Sequence, residues 1–161
     1  MKEYLLDAKE ELKRADHLIY VSLKYTRTVD VIRSIIERLI NAFDDAMICS
    51  LETAKEQGKI ESYSKSAVLK CNAVKELFPE NKEMHAMIDF YLLLRKMIHS
   101  EYKKIEEYRR HVAMLVQVDP QNMISVDIDR VKEYYNETES FVNMILESCG
   151  GDDYTEGDVY F

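Results

Sequence analysis

Glycine and proline are scarce, four and two in 161 residues. Few turns are expected, and the chain should be built from long helices. No apolar run approaches the ~20 residues that a membrane span needs, so no membrane association is expected. The opening stretch MKEYLLDAKEELKR holds acids where a secretory leader would have an uninterrupted apolar core. A cytoplasmic location is therefore expected. There is no glycine-rich phosphate loop and no Gly-x-Ser-x-Gly, which excludes nucleotide-dependent folds of the parallel-sheet type. Cysteines number three, Cys49, Cys71 and Cys149, at no metal-ligand spacing. They read as reduced thiols, with Cys49 and Cys71 acting as small hydrophobes inside helical patterns. No nucleophilic role is assigned to any of them.

Basic charge is also short. Lys and Arg total 22 against 30 Asp and Glu, a formal net charge of −8. That balance argues against a sequence-blind duplex DNA binder, which needs a positive footprint. The deficit is uneven. The last stretch, GGDDYTEGDVYF (150–161), holds four acids and no base, half of the total. It is expected to be a disordered acidic tail, with Tyr154, Tyr160 and Phe161 available to dock on a partner.

What is present is helical periodicity. The chain is long enough to bury a core as one domain over residues 1–149. A first helix is predicted over about 2–24, with Leu5, Ala8, Leu12, Ala15, Ile19 and Ser22 on one face. After a break at 25–28, Thr28 is placed to cap a second helix over about 29–57. Its stripe is the widest, running from Ile32 through Phe43 to Ala54, so this helix should be central. Gly58 stops it. A third helix is predicted over about 64–78, ended by Pro79. A fourth begins after Asn81, with Met84, Met87, Tyr91, Leu94 and Ile98 facing the core. The period then changes. Ile124, Val126 and Ile128 alternate with Ser125 and Asp127, and Asp119-Pro120-Gln121-Asn122 suits a turn, so a β-hairpin is predicted at about 111–128. The competing reading is a helix from Ser100 to Gln117. Asp129 is expected to cap a last helix whose stripe runs from Val131 to Ile145. The fold class is a mainly α bundle of four or five helices with a hairpin before the last one.

One stretch suggests chemistry. Six of the 22 basic residues lie between Arg95 and Arg110. Arg95 and His99, four residues apart, share a helix face at the border of an apolar strip that includes Ile88 and Leu92. Arginine holds phosphate in fork geometry and is always charged. Histidine moves protons near neutral pH. Together they could cleave RNA without a metal, His99 deprotonating the 2′-hydroxyl or protonating the leaving oxygen and Arg95 stabilising the charged phosphorane. The plainer reading is two cations at a helix C-terminus, where the dipole favours them. Lys96, Tyr102, Lys103, Lys104, Tyr108, Arg109 and Arg110 interleave bases with aromatics, which suits single-stranded RNA. Glu101, Glu106 and Glu107 lie among them, and a solvated face laced with ion pairs fits equally. His85 and Asp89, with Glu83 nearby, lack a third ligand at defined spacing, and no paired Glu-x-x-His occurs. Neither a metal nor another cofactor is expected.

Three stretches resemble the HEPN superfamily of small helical proteins. NAFDDAMICSLETAKEQGKI (41–60) is similar to its long second helix, LLLRKMIHSEY (92–102) to the segment bearing its Arg and His, and VDIDRVKEYYNETESFVNMI (126–145) to its closing helix. The resemblance implies a helical bundle, often a metal-independent ribonuclease of toxin–antitoxin type, dimerising so that both subunits share a cleft. Arg95 would hold phosphate, and His99 would be the acid or base. The family pattern has four to six residues between Arg and His, with a polar residue often following Arg. Here three intervene and Lys96 follows, and the hairpin would be an insertion.

Two function classes stay open. One is a HEPN-like homodimer acting on RNA through Arg95 and His99, with Lys96, Tyr102, Lys103, Arg109 and Arg110 as RNA contacts. The other is a non-catalytic helical module that binds a protein partner. The first requires His99 exposed in a cleft beside Arg95 with basic neighbours. The second predicts His99 buried in packing or isolated on open surface.

Overall fold

The computed structural model describes residues 2–149; the acidic tail at 150–161 lies outside the described residues. Five helices enclose one contiguous hydrophobic core, with a small antiparallel sheet inserted before the last helix. The predicted fold class is what the structure has.

Helix α1 is Lys2–His17, extended by a π-helical stretch Leu18–Ser22 and a final α-turn Leu23–Tyr25. Leu5, Ala8, Leu12, Ala15 and Ile19 are buried as their spacing requires. The stripe then ends on Leu23, where Ser22 was expected. The wider π turn accommodates an extra residue, so the inward position passes from Ser22 to Leu23.

Helix α2 is Val29–Glu56. Its N-terminus is capped as predicted, the Thr28 side chain accepting from the Val31 N–H at 3.3 Å. Its C-terminus closes on Gly58, whose φ is +74°. There the Gly58 N–H donates to the Lys55 carbonyl, and the Lys59 N–H donates to Ala54. This paired closure uses the left-handed backbone that glycine tolerates best. Ile32, Ile35, Ile36, Leu39, Phe43, Met47 and Leu51 are all buried, and α2 packs against all four other helices. Phe43 is the hub, with ring centroids 4.8 Å from Phe141, 5.5 Å from Tyr91 and 6.1 Å from Phe90. Each such side chain contributes about 1.5–3 kcal/mol by leaving water.

Helix α3, Ala67–Leu77, starts later than expected, and α4 is Lys82–Ile98. Asn81 caps α4, accepting from the Met84 N–H at 3.0 Å. His85 Nε2 lies 2.8 Å from the Phe78 carbonyl and 3.2 Å from that of Lys75. It thereby satisfies the open end of α3.

The sheet corrects the hairpin reading by one strand. The expected hairpin is β2 (Ala113–Asp119) and β3 (Asn122–Asp127), and ahead of it lies β1 (Glu101–Ile105), in the order β1-β2-β3. β1 carries little alternation of its own. It is a strand because β2 offers it a partner ladder, Tyr102 facing Val116 and Lys104 facing Met114. Tyr102, Met114, Val116, Ile124 and Val126 turn toward the helices. Helix α5, Ile128–Ser148, is capped by Asp127, which accepts from the Arg130 N–H at 2.8 Å. Asp129 was the expected cap. The cap falls two residues earlier because the strand ladder ends at Asp127 and its extended backbone leads directly into the helix.

The β1–β2 connection is held to the α1–α2 corner. The Tyr108 N–H donates to the Arg27 carbonyl at 2.6 Å, and Glu107 accepts from the Val29 N–H at 3.0 Å. Glu106 and Tyr108 sit at φ of 50° and 66°, costly for residues with a side chain and maintained here by those two bonds. Among the described residues, no helix is long and apolar enough to cross a membrane.

Candidate functional site

Helix α4 ends at the site. Arg95 lies in its last turn, half-buried, and His99 is its C-cap residue, exposed. Helix α2 runs alongside and presents Arg33, Glu37 and Asn41 at four-residue steps, which places them in one line. These five side chains, with Ile40 and Ile98, line an open groove of about 360 Å³.

Arg33 is the most constrained of them. Its Nη2 donates to the Ile98 carbonyl at 3.0 Å, and its Nη1 lies 3.7 Å from Met114 Sδ. Its guanidinium stacks over the Tyr102 ring, 4.2 Å from the centroid. One arginine thus satisfies a carbonyl at the end of α4, fixes the sheet against α2 and contributes a positive charge to the groove. The Arg95 guanidinium lies 5.9 Å from the Tyr91 ring centroid. Beneath it the Tyr91 hydroxyl donates to the Asp44 carboxylate, which also receives the buried Lys70 ammonium at 2.7 Å. Burial, and then the Asp44 hydrogen bond and charge, push the Tyr91 phenol far above its ordinary value. It stays protonated and keeps donating to Asp44. Under Arg95 lie a neutral phenol and an ion pair already matched within itself, and Arg95 lines the groove above them.

The other candidate RNA contacts separate. Lys96 is exposed on the outer side of α4 and does not line the groove. Tyr102 lies under Arg33, so one face of its ring is covered. Lys103 alternates to the outer face of the sheet. Lys104 faces inward and pairs with Asp30 at 3.4 Å and Glu107 at 3.7 Å. Arg109 and Arg110 are exposed in the β1–β2 connection. Arg110 and His111 line a second groove of about 440 Å³ on the outer sheet face, together with Asp127 and Asp129. Residues 101–110 thus divide between two faces, because a strand sends successive side chains opposite ways.

Arg33, Glu37 and Asn41 are the groove residues that sequence reasoning passed over. Their signal was a row of polar residues at helical spacing within the most apolar helix. Among the described residues, no three His, Cys, Asp or Glu side chains converge to hold a metal ion. His85 is turned to the end of α3, and Asp89 pairs with Lys75 at 2.5 Å. The arrangement sets Arg33 and Glu37 of α2 along one groove with Arg95 and His99 of α4, and the two arginines can hold an anion there.

Comparison of the chain with protein-family models, with curated proteins and with solved structures yields no match.

Proposed function

We propose that this chain acts on RNA through the α2–α4 groove, as a HEPN-like metal-independent ribonuclease working as a homodimer in the cytoplasm. The observation that carries the reading is the shared groove: His99 is exposed in it, with Arg95 beside it and Arg33 opposite. That is the arrangement the RNA reading requires, and the one a purely packed or isolated His99 would not provide.

In this mechanism Arg95 and Arg33 hold the two non-bridging oxygens of a phosphodiester. His99 exchanges a proton with the 2′-hydroxyl or with the leaving 5′-oxygen. The 2′-oxygen attacks phosphorus, the bond to the 5′-oxygen breaks, and a 2′,3′-cyclic phosphate and a 5′-hydroxyl result. The arginines neutralise the charge that grows on the phosphorane. A dimer with two such grooves adjoining would bring a second Arg and His to one strand, as the HEPN resemblance implies.

The test is cleavage of structured and unstructured RNAs in excess EDTA, wild type beside His99→Ala. Cyclic-phosphate ends produced by the wild type, reduced on the order of 100-fold or more in the variant at unchanged circular dichroism, support the reading. Equal cleavage by both proteins, or none by either, overturns it and leaves the alternative of a helical module that binds a protein partner.

A further inference from the structure

Cys49 in the body of α2 and Cys149 at the C-cap of α5 are one hundred residues apart in sequence, yet their Sγ atoms are 3.9 Å apart. Cys49 is buried, and Cys149 is partly exposed. Cys149 lines a small pocket together with Ser50, Thr53, Gln57, Lys59 and Phe78. Two hydroxyls converge there. Thr53 Oγ1 lies 3.4 Å from Cys149 Sγ and 2.8 Å from the Cys49 carbonyl oxygen. Ser50 Oγ is almost wholly buried and has no hydrogen-bond partner among the described residues. A buried hydroxyl without a partner is uncommon, and one on a pocket wall beside a thiol pair points to a small polar occupant. The pocket offers about 50 Å³. At ~10–15 Å³ per water-sized probe this admits a molecule of a few heavy atoms and excludes a bulky peptide disulfide.

We propose that Cys149 and Cys49 form a hydroperoxide-reactive thiol pair that closes to a disulfide, pinning the end of α5 to α2.

The roles of the two sulfurs follow from their surroundings. The hydrogen bond from Cys49, working against burial, draws the Cys149 thiol down from its ordinary value. The hydrogen bond with Cys149 and burial push Cys49 up. Cys149, partly exposed on the pocket wall, is the attacking thiol, and the buried Cys49 is the resolving thiol. In the first step Cys149 Sγ bonds to one peroxide oxygen, and the O–O bond breaks. The other oxygen leaves and takes a proton, as an alcohol or water. Sulfur loses two electrons to the peroxide and becomes a sulfenic acid. In the second step Cys49 Sγ, giving up its proton, attacks Cys149 Sγ. The S–OH bond breaks, and hydroxide leaves with that proton as water. Ser50, whose hydroxyl has no partner among the described residues, is placed to donate a hydrogen bond to the departing oxygen. The sulfurs must close from 3.9 Å to ~2.0 Å, and a helix-cap residue can make that shift without opening the helix interior. Cys71 provides an internal control. It is buried beside Met47, and burial pushes its thiol up to about 11.

The test treats the full chain with limiting hydrogen peroxide, blocks the remaining thiols by alkylation, and reads intact mass and unreduced peptide maps. The expected result is a link between Cys49 and Cys149 within one chain, with Cys71 alkylated. Cys149 should be consumed roughly tenfold faster than Cys71. In Cys49→Ser, a Cys149 carrying one added oxygen should accumulate in the intact mass. Comparable oxidation of all three thiols, links only between chains, or no link at all would overturn the proposal. The central readout is made on the wild type, so a poorly folding variant does not decide it.

Discussion

The Arg33 guanidinium lies over the Tyr102 ring, 4.2 Å from its centroid, joining the second helix to a strand that the sequence pattern alone did not announce. Arg33 also donates to the Ile98 carbonyl, so one side chain ties α2, α4 and β1 together beside the candidate groove. A partly desolvated stack of this kind is worth ~1–2 kcal/mol. Tyr102→Ala should lower stability by about that amount plus its lost packing. Arg33→Lys should lose most of the stack while keeping the charge, since an ammonium cannot reproduce the planar fork. A double-mutant cycle read by urea unfolding checks this, and additive single effects would dismiss the coupling.

Asp45 makes stability depend on pH. Burial, followed by the charges of Asp7, Glu11 and Asp44 and opposed by Lys70, raises its carboxyl to about 7 from an ordinary 3.8. The folded state therefore binds this proton more tightly than the unfolded chain. The contribution is fully present below pH ~4 and is lost as pH rises toward ~7. Asp45→Asn removes the dependence. Relative to wild type, the variant should gain on the order of 1 kcal/mol between about pH 4.5 and about pH 7.5, after allowance for solvent screening. Urea unfolding at the two pH values measures the gain, and a difference independent of pH would count against it.

Glu107 receives the first N–H of α2 at 3.0 Å, and its carboxylate sits where the helix dipole favours negative charge. Glu107→Ala should cost ~0.5–2 kcal/mol. Removing the bond should also release the left-handed pair Glu106 and Tyr108. Faster amide exchange at Val29 and Tyr108, compared with wild type, would reveal both effects. Unchanged exchange at both would mean the loop is held by other contacts.

Phe43 touches three rings and is completely buried. Phe43→Ala should cost ~3–5 kcal/mol, a large part of a domain's ~5–15 kcal/mol. Thermal unfolding is the measurement, and a loss under ~1 kcal/mol would show that the core collapses around the gap.

Arg95 should act by charge. If RNA lies in the groove, Arg95→Ala weakens binding across sequences and lowers the salt slope by about one counterion. Fluorescence anisotropy at several salt concentrations reads both quantities. An unchanged slope would place RNA elsewhere on the chain.

Much of this architecture could be read locally. Thr28, Asn81 and Gly58 act on backbone groups within a few residues of themselves, so their sequence context contained what was needed. The wide stripe of α2 announced a central helix, and the alternation at Ile124 and Val126 with the Pro120 turn announced the hairpin. Of the candidate site, Arg95 and His99 were visible as a pair because they share one helix face. Arg33 was not, because its role depends on Ile98 and Tyr102, more than sixty residues away.

The remainder was decided by tertiary structure. EYKKI becomes a strand only because β2 lies alongside it, and the capping of α5 moved to Asp127 because a strand ladder ends there. A π turn brought Leu23 rather than Ser22 inward. Cys49 and Cys149 show no spacing in sequence and meet only because α5 packs back along α2. Periodicity and capping act through contacts of three or four residues and are written into the chain itself. Strand pairing, cation stacking and thiol proximity join residues that become neighbours only after the core has closed.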